Sequence, residues 1–325
     1  MIFDPYIKLL DIYYGGKCNL SCYQCDTRSD LIKSTENDPE LSTILEGITL
    51  ARDKFQVDLY SVIGGEPLLY LEKIDLILSH IRKIDPKAKI QFSTNGTLLS
   101  KKLDAVAELM LKHSCSLFVC NHFAAFDTNM TEKITESVNQ LVKKLNLEKG
   151  DANNFFKEFI GLDNPRKDPY MAKWIKERKE YFLGEQPNDH YYYNNDMFVH
   201  FRPQTTFHKN YVMINGKPKP HMTGLPHVSF KDGCSSVLCN FLIGKKLYKC
   251  AALGTLKQLL THYDCLDDLD WQKYLNYEYL DLETCEYIDI TKFHLGKFCS
   301  IAECDMCGTQ EFNRTKEHVI HIQTS

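Results

Sequence analysis

Short β-branched or aromatic runs alternate with longer segments of helical period through the first half of the chain, the pattern of a parallel sheet with crossover helices. Lys8–Tyr14, Val57–Ile63, Lys89–Thr94 and Ser116–Cys120 read as strands. Between them, Pro39–Phe55, Leu71–Ile84 and Leu98–Leu111 place apolar residues three and four apart, and Thr97 or Ser100 is positioned to cap the last helix. At least three βα units follow, and right-handed crossovers curl such a sheet towards a full or partial β/α barrel. From Thr128 to about Tyr193 the period is mostly helical, in Glu132–Leu147 and in the charged stretch Pro169–Phe182 around Trp174. A polar, aromatic passage, Asp189–Asn195, leads into a further strand at Met197–Phe201. Leu238–Leu242 and Leu247–Cys250 form a hairpin about the turn Ile243-Gly244-Lys245-Lys246. Gly216, Pro218, Pro220, Gly224, Pro226 and Gly233 gather at 215–232, which sets the expected domains at 1–225, an α/β partial barrel, and 226–325, a small α+β unit.

The 325 residues, 43% of them hydrophobic, suffice for one barrel-sized domain with an appendage. A formal charge of -4, from 39 Lys+Arg against 43 Asp+Glu, gives no global field for a nucleic acid. No apolar run reaches the ~18–20 residues of a membrane span. The composition departs from the ordinary in its 13 cysteines. Met1–Tyr14 has no basic leading segment and carries Asp4 and Asp11 where a secretion signal would be apolar, so a cytoplasmic, reducing compartment is expected. There, clustered cysteines hold metal more often than they pair.

Cys18, Cys22 and Cys25 stand four and three residues apart after the first strand and the loop Gly15-Gly16-Lys17. Three thiolates in one loop can converge on a four-iron cluster and leave one iron open, whereas a disulfide would strand the third. A three-cysteine zinc site completed by a distant His is the alternative. This Cys-x3-Cys-x2-Cys resembles the signature of the radical S-adenosylmethionine (radical SAM) superfamily. Gly64-Gly65-Glu66-Pro67 resembles the family's GGE motif, whose backbone and carboxylate engage the methionyl amino group. Ser93-Thr94-Asn95-Gly96 resembles the segment that contacts the ribose and methionyl carboxylate. Each motif follows a predicted strand, at the rim where a β/α barrel puts its chemistry. The family usually has an aromatic residue just before the third cysteine; here Gln24 stands there and Tyr23 one place earlier, and backbone contact to adenine is expected from this pair.

The resemblance implies a [4Fe-4S] cluster with S-adenosylmethionine, a reductant such as flavodoxin or ferredoxin, and hydrogen abstraction by a 5′-deoxyadenosyl radical. Cys234, Cys239, Cys250, Cys304 and Cys307 resemble the ligands of SPASM/twitch auxiliary domains, specifically a one-cluster twitch version holding a second [4Fe-4S] cluster. Cys299 is in reserve, Cys265 and Cys285 fit ordinary buried thiols, and a structural zinc ribbon is the alternative for this region. After the fourth strand, Cys120 could return a hydrogen atom to a substrate radical and His122 could orient a hydroxyl or move a proton. Arg202 suits a carboxylate or phosphate, or else pairs with a barrel carboxylate. Tyr191-Tyr192-Tyr193-Asn194-Asn195, with His190 and His208, could line a pocket for a sugar. No Ser-His-Asp arrangement, phosphate loop or GxGxxG fingerprint stands out.

The expected function is an oxidoreductase or epimerase-type radical SAM enzyme acting on a small polar or carbohydrate-like molecule. Cys18 comes too early for a leader-binding domain before it, which favours that substrate over a ribosomal peptide or protein. A non-catalytic iron–sulfur carrier or zinc module is the contrasting class, and it has no use for Gly64–Pro67 and Ser93–Gly96.

Overall fold

The computed structural model describes residues 5–29, 38–151, 189–194, 196–222, 239–277, 279–296, 300–307 and 311–321. Strand β1 (Tyr6–Tyr13) buries Ile7, Leu10 and Ile12 completely, and a strand with little exposed apolar surface needs neighbours on both edges. It has them: β3 (Gln56–Ile63) on one side and β12 (Cys239–Ile243) on the other, both parallel. β4 (Lys89–Thr94), β5 (Ser116–Asn121) and β8 (Phe198–Pro203) continue the parallel ladder in the order β12-β1-β3-β4-β5-β8. Antiparallel strands finish both ends, β7 (His190–Tyr193) and β6 (Glu148–Gly150) beyond β8, and β13 (Lys246–Tyr248) and β14 (Leu280–Asp281) beyond β12. The result is mixed α/β, built on a parallel-rich sheet of ten strands.

Helices α1 (Leu41–Lys54), α2 (Leu71–Ile84), α3 (Leu99–His113) and α4 (Thr128–Lys144) follow the expected βα order. In α2 the stripe Ile74, Ile77, Leu78 and Ile81 is wholly buried, at the three- and four-residue spacing that made the helix legible. The Asp127 side chain caps α4 by accepting from the Met130 N–H at 2.9 Å. Neither Thr97 nor Ser100 caps α3: its N-cap is Leu98, with no side-chain bond, and the Thr97 hydroxyl is committed to Asn95. Of the helical stretch expected up to Tyr193, Pro169–Phe182 with Trp174 lies outside the described residues.

Three features add to the expected layout. The aromatic passage at 189–195 is a strand over His190–Tyr193, because its alternation seats Tyr191 against the His200 ring at 4.5 Å. The hairpin expected to open the second unit runs along β1, from Leu9↔Cys239 to Tyr13↔Ile243, and so extends the main sheet. Segments near positions 311–321 form short strands that travel back. β15 (Glu311–Asn313) pairs with β9 (Thr206–His208), and β16 (Val319–His321) pairs with β2 (Leu20–Cys22). A second core centres on Trp271, with Leu256, Leu259, Tyr274 and Met306 around it. The Trp271 indole donates to the Pro218 carbonyl at 3.0 Å, tying this core to the hairpin of β10 (Tyr211–Ile214) and β11 (Lys217–Pro220). Among the described residues, no helix is long and apolar enough to cross a membrane.

The hairpin turn at Gly244 presses its carbonyl onto α1 at Gly47, where a Cβ would lie 1.8 Å from that oxygen. Gly47→Ala should therefore lower stability by ~1–3 kcal/mol through overpacking, although the same change in an unobstructed helix gains about 1 kcal/mol. Urea unfolding checks the sign, and a stabilised variant would show that the contact yields without cost.

Candidate active site

The loop after β1 carries all three N-terminal cysteines, and hydrogen bonds bind it to the ends of β3 and β4. Two tight turns shape it, with the Cys25 N–H donating to the Cys22 carbonyl and the Arg28 N–H to that of Cys25. Gln24 occupies the left-handed region at φ 59. The Gly65 N–H donates to the Gly15 carbonyl at 2.8 Å and the Glu66 N–H to that of Lys17 at 3.0 Å. A side chain at Gly65 would meet the Lys17 oxygen at 1.9 Å, so the glycine is required by this approach. The Glu66 carboxylate, fully buried, accepts from the Leu68 N–H (3.0 Å), the Thr94 hydroxyl (2.7 Å) and the Asn95 N–H (2.9 Å). The Asn95 amide donates to Asn19 Oδ1 at 2.9 Å and reaches Cys18 Sγ at 3.7 Å, while Thr97 closes the group onto both asparagines.

The side chains of these motifs also serve the fold. The Glu66 carboxylate joins β3 to β4 through these donors. The Gln24 side chain is spent on the Asn210 N–H (2.8 Å) and the Tyr211 carbonyl (2.9 Å), and the Tyr23 ring stacks on His318 and packs edge-on against Phe207. Gln24 is thus tied to the start of β10 and Tyr23 to the returning C-terminal segment, which leaves the backbone of both for the contact expected of them.

Register sets a polar row across the sheet: Asp11↔Ser61↔Gln91, with the Gln91 amide donating to Ser61 Oγ at 3.1 Å. Beyond it lie Ser93↔Phe118↔His200 and Cys120↔Arg202. Burial, with the nearby Asp26 charge, pushes the Asp11 carboxyl up to about 7 against the pull of Ser61. Asp189 accepts from His200 Nε2 at 2.9 Å and Arg202 Nε at 3.0 Å; burial acts to raise its carboxyl, and these partners outweigh that and hold it low. Arg202 therefore pairs with a barrel carboxylate, its guanidinium also lying over the Phe118 ring. Burial pushes the Cys120 thiol up to about 11 and the His122 imidazole down to about 3.

Residues 12–147, from within β1 to just past α4, match the Radical SAM superfamily. They form a radical SAM domain. A GTP 3′,8-cyclase of Limosilactobacillus fermentum is 31% identical over 111 residues, 33% of each chain. A 7-carboxy-7-deazaguanine synthase of Rickettsia prowazekii is 31% identical over 83 residues, 26% of this chain and 34% of its own. The chain thus spans about a third of the length of these curated relatives. Among solved structures, anSMEcpe with bound AdoMet is similar over 44% of this chain and 42% of its own, with 19% identity and a TM-score of 0.35.

Members of this superfamily hold a [4Fe-4S] cluster and S-adenosylmethionine, and the donor set of the radical SAM domain fits that cluster. Three thiols share one loop, and the Cys18 sulfur accepts the Leu20 N–H at 3.4 Å as well as the Asn95 amide, the hydrogen bonds to sulfur that tune iron–sulfur sites. Among the described residues, no three His, Cys, Asp or Glu side chains close on a single metal ion.

Towards the C-terminus, Cys239 opens β12 and Cys250 stands two residues past the end of β13, on the two arms of the hairpin. Cys250 and Cys304 both act on the Tyr277 hydroxyl, which burial and their charge push up, and Cys307 acts in the same way on Tyr274. A cavity of about 870 Å³ lined by Lys249, Tyr277, Cys285 and Glu303 adjoins this neighbourhood. Cys265 is buried in the Trp271 core. Cys234 and Cys299 lie outside the described residues. The sequence did not point to Asp189 or Arg314 as parts of the barrel mouth: Asp189 just precedes a strand read as loop, and Arg314 arrives from the far end of the chain.

Asp11 gives a pH dependence of determinate sign. Its carboxyl rises from 3.8 to about 7 on folding, so the folded chain takes up a proton between those values and loses stability as pH rises through that window. In the cluster-free protein, Asp11→Asn should lessen the fall of the urea midpoint between about pH 4 and 7, where Glu66, also pushed up to about 7, contributes in the same direction. An unchanged slope would remove Asp11 as its source.

Proposed function

We propose that this chain is a radical SAM enzyme that cleaves S-adenosylmethionine reductively and takes hydrogen from a small polar or carbohydrate-like substrate, ending in dehydrogenation or epimerisation. The observation that carries it is the union of Cys18, Gly65, Glu66 and Asn95 in one hydrogen-bonded unit at the ends of β1, β3 and β4. A cysteine site used for electron transfer or structure alone has no need to be locked to those two motifs. Cys18, Cys22 and Cys25 hold the cluster. The backbone at Tyr23, Gln24, Gly64 and Gly65, with Glu66, Ser93 and Asn95, serves S-adenosylmethionine. When bound, these groups supply one-electron cleavage and hydrogen-atom abstraction.

The chain's own part is placement and control of protons. Cys120 shares a register position with Arg202, and its raised titration keeps hydrogen on sulfur at neutral pH, as a hydrogen-atom donor requires. That supports epimerisation. Dehydrogenation would instead pass an electron to a second cluster, which we assign to Cys239, Cys250, Cys304 and Cys307, with Cys234, in a twitch-like unit over 226–325. The neighbourhood of Cys250 and Cys304 at Tyr277 supports that assignment. Curated relatives named for GTP and for a deazaguanine support a small molecule over a peptide. Flavodoxin or ferredoxin in a reducing cytoplasm would supply the electron.

Anaerobic reconstitution with S-adenosylmethionine and a reductant should yield 5′-deoxyadenosine from wild type and none from Cys22→Ala, read by mass spectrometry. Iron should fall from about eight to about four per chain in the triple Cys18/Cys22/Cys25→Ala variant. A fully loaded wild type that makes no nucleoside would refute the enzyme. In deuterated buffer, solvent label in the product should vanish with Cys120→Ala; label that persists would exclude this thiol as donor.

A further inference from the structure

Two guanidinium groups, those of Arg202 and Arg314, act on the Cys120 thiol, and among the described residues Arg314 has no side-chain hydrogen-bond partner. Arg314 is 7% exposed, and its Nε and Nη1 are buried without a hydrogen bond. No carboxylate pairs with it among the described residues. Its place is fixed from several sides. The strand before it pairs Asn313↔Thr206 and Phe312↔Phe207, the Arg314 N–H donates to the Thr205 carbonyl at 2.7 Å, and its guanidinium lies over the Phe207 ring at 5.5 Å. The Gln204 N–H donates to the Asn121 carbonyl at 2.8 Å, which joins this segment to the chain just after Cys120. Arg202 and Arg314 both act on the Cys120 thiol, and Arg314 also acts on His122. His122 Nδ1 is buried and likewise without a partner.

A buried guanidinium with unmade hydrogen bonds is costly, and such groups are normally paired. Asp189 is already taken by His200 and by Arg202 Nε. Among the described residues no other carboxylate is paired with Arg314, and an anionic ligand would supply the hydrogen bonds that its Nε and Nη1 lack. Arginine's planar fork matches a carboxylate or phosphate, and a neutral imidazole can add a donor beside it.

We propose that Arg314, with Arg202 and His122, binds a carboxylate or phosphate carried by the substrate and seats that substrate beside Cys120. This deepens the reading above, on which it rests, by giving the polar substrate a negative charge. Binding can be read without turnover, so it can fail or hold independently of S-adenosylmethionine cleavage. The cluster-loaded protein is titrated calorimetrically with inorganic phosphate and with acetate, each with and without saturating S-adenosylmethionine. At least one anion should bind wild type, and the one that binds more tightly identifies the group. Arg314→Gln should weaken it about tenfold or more, the loss of one charged hydrogen bond. Arg314→Lys should restore much of it, and the exposed Lys101→Gln should change nothing. If Arg314→Gln does not fold, Arg202→Gln supplies the same readout. Wild-type affinity in the folded glutamine variant would overturn the proposal. So would an absence of binding by either anion, or displacement of the anion by S-adenosylmethionine, which would give the arginine to the methionyl carboxylate.

Discussion

A single buried carboxylate holds the site together. Glu66 comes from the end of β3, and its oxygens take the Thr94 hydroxyl and the Asn95 N–H at the end of β4. The next links run from Asn95 to Asn19 and Cys18 in the first loop. Burial pushes the Glu66 carboxyl up to about 7 in spite of three donors, so the tie opposes a real desolvation cost. The arrangement trades stability for position. Three loops that would otherwise move independently share one set of hydrogen bonds, as a site needing precise placement of a cofactor demands.

Elements whose information is local were legible in the sequence. α2 over Leu71–Ile84 and β4 over Lys89–Thr94 have the expected bounds, because each buries one stripe or face against the same core. The cysteine loop was legible for a different reason: its three thiols lie within eight residues of one another, so their candidate chemistry shows in spacing alone. Long-range pairing left no such trace. β9, β15 and β16 are three residues each, too short to show an alternation, and they exist because a distant strand offers them an edge. The same limit explains Glu66 and Gln24. Their positions in the motifs could be read, but the direction of each side chain depends on what the fold packs beside it.

Electrostatics divides the inner face of the sheet by partner, not by residue type. Asp189 and Asp11 are both carboxylates within the fold, yet His200 and Arg202 hold the first low while burial pushes the second up. Arg202 and Arg314 are both guanidinium groups near Cys120, yet Asp189 engages the first and leaves the second. Among the described residues, the guanidinium beside β7 and β8 is thus paired and the one that follows β15 is not.

The pairing of β16 with β2 also orders events in time. Cys22 faces Val319 in that ladder, and the Tyr23 N–H donates to the His318 carbonyl, so the loop meant for the cluster takes its edge from residues made almost a whole chain later. While the ribosome is still at work, β1, β3 and β4 can already associate, but the cysteine loop lacks one wall. A chain cut short before Val319 would carry every N-terminal motif intact and still present its thiols on a loop without that edge.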